Sequence, residues 1–369
     1  ITFDLSPELA ITEIPGTEVE KQEFVKREIP ADLVESTRKR VAEAGLHPTD
    51  DEYNGLLAYV WPAMVKMKKR DDKYKAVREK NFTTEEGSYY LRELSIDELP
   101  GLTTPETTAV MLALSFEMGM AIHFVAPAFG FQKNIPYPDN EKLREMITPI
   151  WNICEKFGVS IGFHSGSGKS AKNYQVAGQV TGSNLEIKTS GRYTYEMGVA
   201  LSKSSDPYDQ ELWQDWYNFT IDLASNGCFA EDETERKMAR EFVSLTLDEE
   251  SSKKAFSSIE DCRTILQSLE PSPDHFFWFE YNFLYVLAAG GSADKNSLGD
   301  HSSEGYRQRR RFYSISDQGK LLYSKRVSKY IIFLALNTRL VSSEICKDAL
   351  SELETFSEYT DFIESISKS

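Results

Sequence analysis

Cysteine is scarce in this sequence. Cys154, Cys228, Cys262 and Cys346 stand far apart among 369 residues, with no CxxC spacing. That excludes a zinc ribbon and a disulfide framework and predicts reduced, buried thiols in a cytoplasmic protein. Positive charge is also short, with 42 Lys and Arg against 58 Asp and Glu and a formal net charge of −16. Nucleic acid and anionic membranes need a basic surface, so neither is expected as a partner. A small anionic substrate in a locally basic pocket stays compatible. No apolar run approaches the roughly 20 residues of a membrane span, and no signal peptide is visible. No strand-like segment leads into GxGxxG. The loop HSGSGKS at 164–170 fails the phosphate-loop pattern, because Phe163 stands where that pattern needs Gly. A nucleotide-binding reading is therefore rejected.

What is present is an ordinary globular composition, 40% hydrophobic and 27% charged, long enough for one large or two medium domains. Residues 1–5 read as the end of a strand. The sequence opens at Ile1 without Met, and one or two further strands are expected upstream. Residues 31–44 and 52–69 read as amphipathic helices, with Pro62 kinking the second or ending its first part. The charge-dense run 66–78 reads as a solvated helix face. Residues 89–97 (YYLRELSID) alternate as a strand does, and 120–126 (MAIHFVA) suit a buried parallel strand. Thr104 and Pro105 open a helix, 140–157 is another, and 206–268 looks wholly helical. The aromatic run 275–287 (HFFWFEYNFLYVL) is expected as a strand, or a strand leading into a helix. Residues 317–337 and 343–366 close the chain as helices.

Strands alternating with long helices define an α/β fold with a parallel sheet. The expectation is a TIM-like (β/α)8 barrel, a single domain over 1–369 with helical insertions at about 15–85 and 206–270. An open doubly wound sheet is the alternative.

Polar residues gather where two adjacent strands end. His164, Ser165, Ser167 and Lys169 follow the strand around 159–163, and Glu186, Lys188, Thr189 and Arg192 lie on and after the strand at 185–187. In parallel β/α folds ligands bind where strands end and loops begin. The period of two places Glu186 and Lys188 on one face and Leu185 and Ile187 on the other. Glu93 and Asp97 likewise share a parity. Glu93 (or Asp97), His164, Glu186 and Glu280 are the candidate metal ligands. Carboxylates with one imidazole suit Mn²⁺, Mg²⁺ or Ni²⁺, with Zn²⁺ compatible. Each carboxylate alone reads equally well as a salt bridge or helix cap. Glu186, Lys188 and Asp97 are the catalytic candidates, Lys188 as acid/base or carboxylate anchor. The Gly/Ser-rich loop with Ser165, Ser167 and Lys169 offers backbone N–H groups and side chains to an anionic group. Arg307, in the basic run 307–311, reads either as a carboxylate anchor or as a surface turn neutralising nearby acids. His123, inside an apolar run, reads as a satisfied core histidine.

HSGSGKS followed by LEIKTSGRYTYE resembles the tagaturonate epimerase family. ELSIDELPGLTTPE resembles a family strand and loop of the form ELSVDET…PT, and MAIHFVAPAFGFQKNIPYPDN resembles the strand and loop after it. Order and spacing agree over roughly 89–201. The resemblance implies a metal-dependent, TIM-barrel-like enzyme that interconverts the keto-uronates tagaturonate and fructuronate in hexuronate catabolism. By position, His164 matches the family's HSGS histidine. Lys188, Thr189 and Gly191 match its KTAG segment, and Asp97 and Glu98 the acids of VDET. Thr189, Arg192 and Arg307 then join the loop residues as substrate-binding candidates. The departures are Glu186 and Glu280 where the family carries His, and Gly168 where it carries an acid. They leave two alternatives to a sugar-acid epimerase: a non-catalytic carbohydrate-binding relative, and an aldolase on the same barrel. The implied cofactor is one divalent metal ion, the implied partner a small sugar acid, and assembly into a homo-oligomer is compatible with both.

Overall fold

A computed structural model describes residues 1–97, 101–132 and 135–368. The chain divides into two compact units. The first is Ile1–Thr189 with Ala335–Val341, the second Ser190–Leu334 with Ser342–Ser369. Of the two expected helical insertions, 15–85 falls in the first unit and 206–270 in the second.

The first unit carries the sheet: β1 (Thr2–Asp4), β2 (Glu93–Ile96), β3 (Phe124–Pro127), β4 (Ser160–Phe163) and β5 (Leu185–Ile187). All neighbours are parallel and the order is β1-β2-β3-β4-β5. Each strand lies beside the next in the chain, so the direction reversal of a doubly wound sheet does not occur among the described residues. The sheet is nevertheless open, with β1 and β5 at its edges. The described residues do not form the closed eight-stranded barrel expected from the sequence. One reason is local: 275–287 is helical, with an α-helix at Phe276–Tyr281 and a 3₁₀ helix at Asn282–Leu287. That aromatic run has no alternation to commit it to a sheet. Helical spacing instead carries Phe277, Trp278 and Tyr285 into an aromatic core.

Alternation gives the strands two chemically different faces. Phe3, Leu94, Ile96, Val125, Ile161 and Phe163 are buried in the main core with Val110, Leu114, Ile147 and Met64. Glu93, Ser95, Ala126, Gly162 and Glu186 occupy the alternate positions. The helix Pro105–Glu117 is buried without a break from Thr107 to Ser115, as a helix apolar all round must be. Thr104 caps it as expected, accepting from the Thr107 N–H. The helix Asn140–Phe157 buries Leu143, Ile147, Ile150 and Cys154 at helical spacing. It ends on Gly158 at φ 65°, the left-handed turn that returns the chain to β4.

The helix expected at 52–69 runs further, as Asp50–Asn81, and passes through Pro62. The buried stripe Leu57, Val60, Met64 and Met67 holds both sides of the proline in one helix. The charge-dense run is mostly solvated, with one exception. Asp71 is buried, accepting from Arg92 Nε at 2.6 Å and from the Tyr90 hydroxyl at 2.7 Å.

The second unit is helical throughout its larger elements. Trp216 and Trp278 meet at 5.2 Å between ring centroids, and Trp216 Nε1 donates to the Asn282 carbonyl at 2.7 Å. All four cysteines are buried free thiols, as expected. Among the described residues no helix is long and apolar enough to cross a membrane.

Candidate metal and active site

The polar face of the sheet brings three strands together on one imidazole. His164 directly follows β4, and its side chain is 3% exposed. Its Nε2 lies 2.5 Å from Glu93 Oε1 and 3.8 Å from Glu186 Oε1. Its Nδ1 lies 3.0 Å from Asp97 Oδ1 and 3.3 Å from Ser95 Oγ. Glu93, Ser95 and Asp97 sit at i, i+2 and i+4 on and after β2, so strand alternation alone turns all three toward the histidine. Ser95 Oγ also donates to Asp97 Oδ1 at 2.6 Å, and Thr2 on β1 donates to the far oxygen of Glu93. Room for this cluster comes from small residues. A Cβ at Gly162 would stand 3.0 Å from Glu186 Oε1 and 3.2 Å from the Ala126 Cβ.

The electrostatics follow from crowding these groups out of water. Burial works against a charged His164, but hydrogen bonds to Asp97 and Glu93 outweigh it and push its pKa up to about 9. Burial would likewise raise Glu93, yet the hydrogen bonds from His164, Glu186 and Thr2 bring it well below the usual carboxylate range. Glu186 moves the other way. Burial and the neighbouring Glu93 carboxylate raise it, so the pair favours keeping one proton between them. Asp97 is lowered: the His164 and Ser95 hydrogen bonds prevail over burial.

One ligand atom each from Glu93, His164 and Glu186 lie within 4.8 Å of one another. Two carboxylates and an imidazole that are close enough to share protons form a donor set a divalent cation fits. The cation would supply the positive charge the crowded carboxylates now draw from protons. With Nε2 facing that position, Asp97 holds Nδ1 and fixes the ring, the usual support for a metal-bound histidine.

The other sequence candidates scatter. Lys188 is exposed, follows Glu186 by two residues and lies near enough to favour its ionised form. Ser165 is half-buried at φ 51° and Ser167 is buried, both in the loop after β4. Lys169 is buried, and its Nζ donates to the Gln132 carbonyl at 2.6 Å, with Phe131 at 5.2 Å. Burial pushes its pKa down to about 8. Tyr174 ties this loop, accepting from the Lys169 N–H at 3.1 Å and donating to the Gly166 carbonyl at 2.7 Å. Thr189 ends the first segment of the first unit and is half-buried.

Arg192 lies in the helix Ser190–Lys203 and pairs with Glu196. Arg307 is exposed and paired with Glu304 at 2.8 Å, the surface arrangement of the two readings offered for it. Glu280 lies on the helix Phe276–Tyr281 of the second unit, so the strand expected to present it as a ligand does not exist. Glu98 lies outside the described residues. His123 is satisfied as read, between the Tyr89 hydroxyl at 2.8 Å and the Arg92 N–H at 3.1 Å, but half-buried. Sequence reasoning gave no role to Ser95, Thr2, Ala126 or Gly162. The parity shared by Ser95 with Glu93 and Asp97 was the available signal. A cavity of about 590 Å³ lined by Leu46, His47, Asp51, Tyr59 and Thr104 contains none of the cluster residues.

An open parallel α/β sheet with a carboxylate–imidazole cluster on its polar face defines the class. Residues 64–241 match the family model UxaE, tagaturonate epimerase. Among solved structures the chain is similar to the native fructuronate-tagaturonate epimerase UxaE from Cohnella laeviribosi, at 16% identity and a TM-score of 0.52. It is also similar to the one-glycerol complex of the same enzyme, at 16% identity and a TM-score of 0.51. In both cases 90% of this chain is covered, but the chain spans only 63% of the length of the solved structure. At that identity the likeness speaks for the fold. No curated protein matches.

Proposed function

We propose that the protein is a metal-dependent sugar-acid epimerase acting on a keto-uronate of the tagaturonate/fructuronate kind, in cytoplasmic hexuronate catabolism. The observation that carries this reading is the convergence of Glu93, His164 and Glu186 on one face of the sheet, inside the segment that matches the family. The one-directional strand order also supports reading the five strands as part of a TIM-like barrel. The partner is a small sugar acid, with neither nucleic acid nor membrane involved, and a homo-oligomeric assembly is part of the proposal.

Glu93, His164 and Glu186 would hold one divalent ion, Mn²⁺, Ni²⁺, Zn²⁺ or Mg²⁺, with Asp97 orienting His164. Bound there, the ion would polarise the substrate ketone as a Lewis acid. In this reaction the inverted carbon lies two positions from the ketone, so its C–H is not acidified. The chemistry that solves this is retro-aldol cleavage: the carbinol hydroxyl loses its proton, the carbon–carbon bond breaks, the aldehyde fragment rotates, and the bond re-forms on the other face. Glu186 or Lys188, side by side on one face, takes that hydroxyl proton and returns it. Without an ion, burial and the Glu93 carboxylate raise the Glu186 pKa to about 7; a bound cation would favour its ionised, proton-accepting form. The loop of Ser165, Ser167 and Lys169, with Thr189, is the part of the first unit proposed to hold the substrate; Arg192 is the substrate-binding candidate of the second unit, where Arg307 stays with Glu304 at the surface.

The test is metal content and keto-uronate turnover of purified protein alongside Glu186→Gln and His164→Ala. About one divalent ion per chain, lost in His164→Ala, with kcat falling far more than substrate binding in Glu186→Gln, is the expected result. No stoichiometric metal after reloading would remove the metal-dependent reading in favour of a carbohydrate-binding relative. Net release of a three-carbon fragment would point to an aldolase.

A further inference from the structure

The second unit contains two fixed arginines that share one buried carboxylate. Glu196 is 2% exposed. Its Oε1 accepts from Arg192 Nε at 2.6 Å, with Arg192 Nη2 in ion-pair contact at 2.6 Å, and its Oε2 accepts from Arg326 Nε at 2.5 Å. The Arg192 guanidinium also lies over two aromatic rings, 4.6 Å from the Tyr195 centroid and 5.1 Å from that of Tyr330. Tyr195 is held in turn, donating to Asp274 Oδ1 at 2.6 Å. Stacked faces leave a guanidinium only its edge for hydrogen bonding.

Three charges of which two are positive leave the group with a net charge of +1, in a chain of net −16. Glu196 needs only part of the donors offered to it. Each guanidinium has five N–H groups in a rigid fork, and Glu196 accepts one hydrogen bond from each. Both arginines stay partly open, at 30% and 29% side-chain exposure, while the carboxylate that orients them is closed off. A purely structural ion pair has no need of a second, partly exposed cation. Two pre-oriented forks beside each other match the planar, two-oxygen shape of a carboxylate.

We propose that Arg192 and Arg326 form an anion-binding site for the carboxylate of a small sugar acid, with Glu196 as the positioning residue that fixes both guanidiniums. The choice of a sugar acid rests on the function proposed above. The anion site itself rests only on the triad.

The test is calorimetric titration of the full chain with D-glucuronate and with D-glucose, its counterpart without the carboxylate. Glucuronate is expected to bind at least tenfold more tightly. Arg326→Gln alone strands Glu196 with one partner and risks the fold, so the informative variant is Glu196→Gln/Arg326→Gln, which removes one charge of each sign. It is expected to keep its melting temperature within a few degrees and to lose glucuronate affinity tenfold or more. Equal affinity for the two sugars in the wild type, or undiminished glucuronate binding in the double variant, overturns the proposal. If glucuronate binds as expected while no keto-uronate is turned over, the epimerase reading falls and the anion site stands.

Discussion

Lys169 shows how one buried charge shapes the behaviour of the whole chain. The unfolded chain keeps this proton to about pH 10.5, whereas burial lets the folded protein lose it near pH 8. Between those values the unfolded state binds more protons, so this group makes stability rise with pH. Its full penalty, about 3 kcal/mol, applies below pH 8. Lys169→Met should therefore flatten the rise in stability between about pH 8 and 10.5, measured by urea unfolding across that range. Its gain at neutral pH should be smaller than the full penalty, because the Gln132 carbonyl loses its donor. Gly162 is the complementary case, a position defined by what it leaves out. Gly162→Val would place methyl groups against Glu186 and Ala126. It should lower affinity for the ion proposed at the cluster while the helical signal in circular dichroism is kept.

At the scale of elements, close approach and capping decide where helices can sit. Thr49 begins the helix Asp50–Asn81 with a capping box: Thr49 Oγ1 accepts from the Glu52 N–H at 3.3 Å, and Glu52 Oε2 accepts from the Thr49 N–H at 2.8 Å. Thr49→Ala should cost about 1 kcal/mol in chemical denaturation, with little change in turnover. In the helix Ala171–Thr181, a Cβ at Gly178 would lie 2.1 Å from the Thr338 carbonyl oxygen. The segment Ala335–Val341 belongs to the first unit through such contacts, including the Ser183 hydroxyl donating to the Thr338 carbonyl at 2.8 Å. Gly178→Ala should destabilise by about 1–3 kcal/mol, read as a lowered denaturation midpoint. Nothing in the order of residues marks this glycine as different from others, because its partner is about 160 positions away along the chain.

At the scale of the whole molecule, the ion proposed for the cluster links function to stability. A ligand that binds only the folded state stabilises it by about 2.7 kcal/mol at a hundredfold excess over Kd. Adding Mn²⁺ or Ni²⁺ should raise the melting temperature, chelator should reverse the shift, and Glu93→Gln and His164→Ala should abolish it. An unchanged melting temperature with every ion tried would separate the cluster from metal binding.

The sequence alone makes legible the parallel α/β class, the helix opened by Thr104 and the helix at 140–157, the buried thiols, and the shared face of Glu93 with Asp97. These follow from period, caps and composition, which act over a few residues. It also carried the family resemblance, through motifs in consecutive stretches. Tertiary structure alone decided that 275–287 is helical, because that apolar run fits either element until Trp216 and its neighbours give it a core to face. It thereby removed Glu280 from any strand. It likewise settled that the five strands form an open sheet, and that Arg192 pairs with Glu196 and through it meets Arg326. Such choices depend on contacts between distant residues, and local periodicity holds no information about which distant partner a side chain will find.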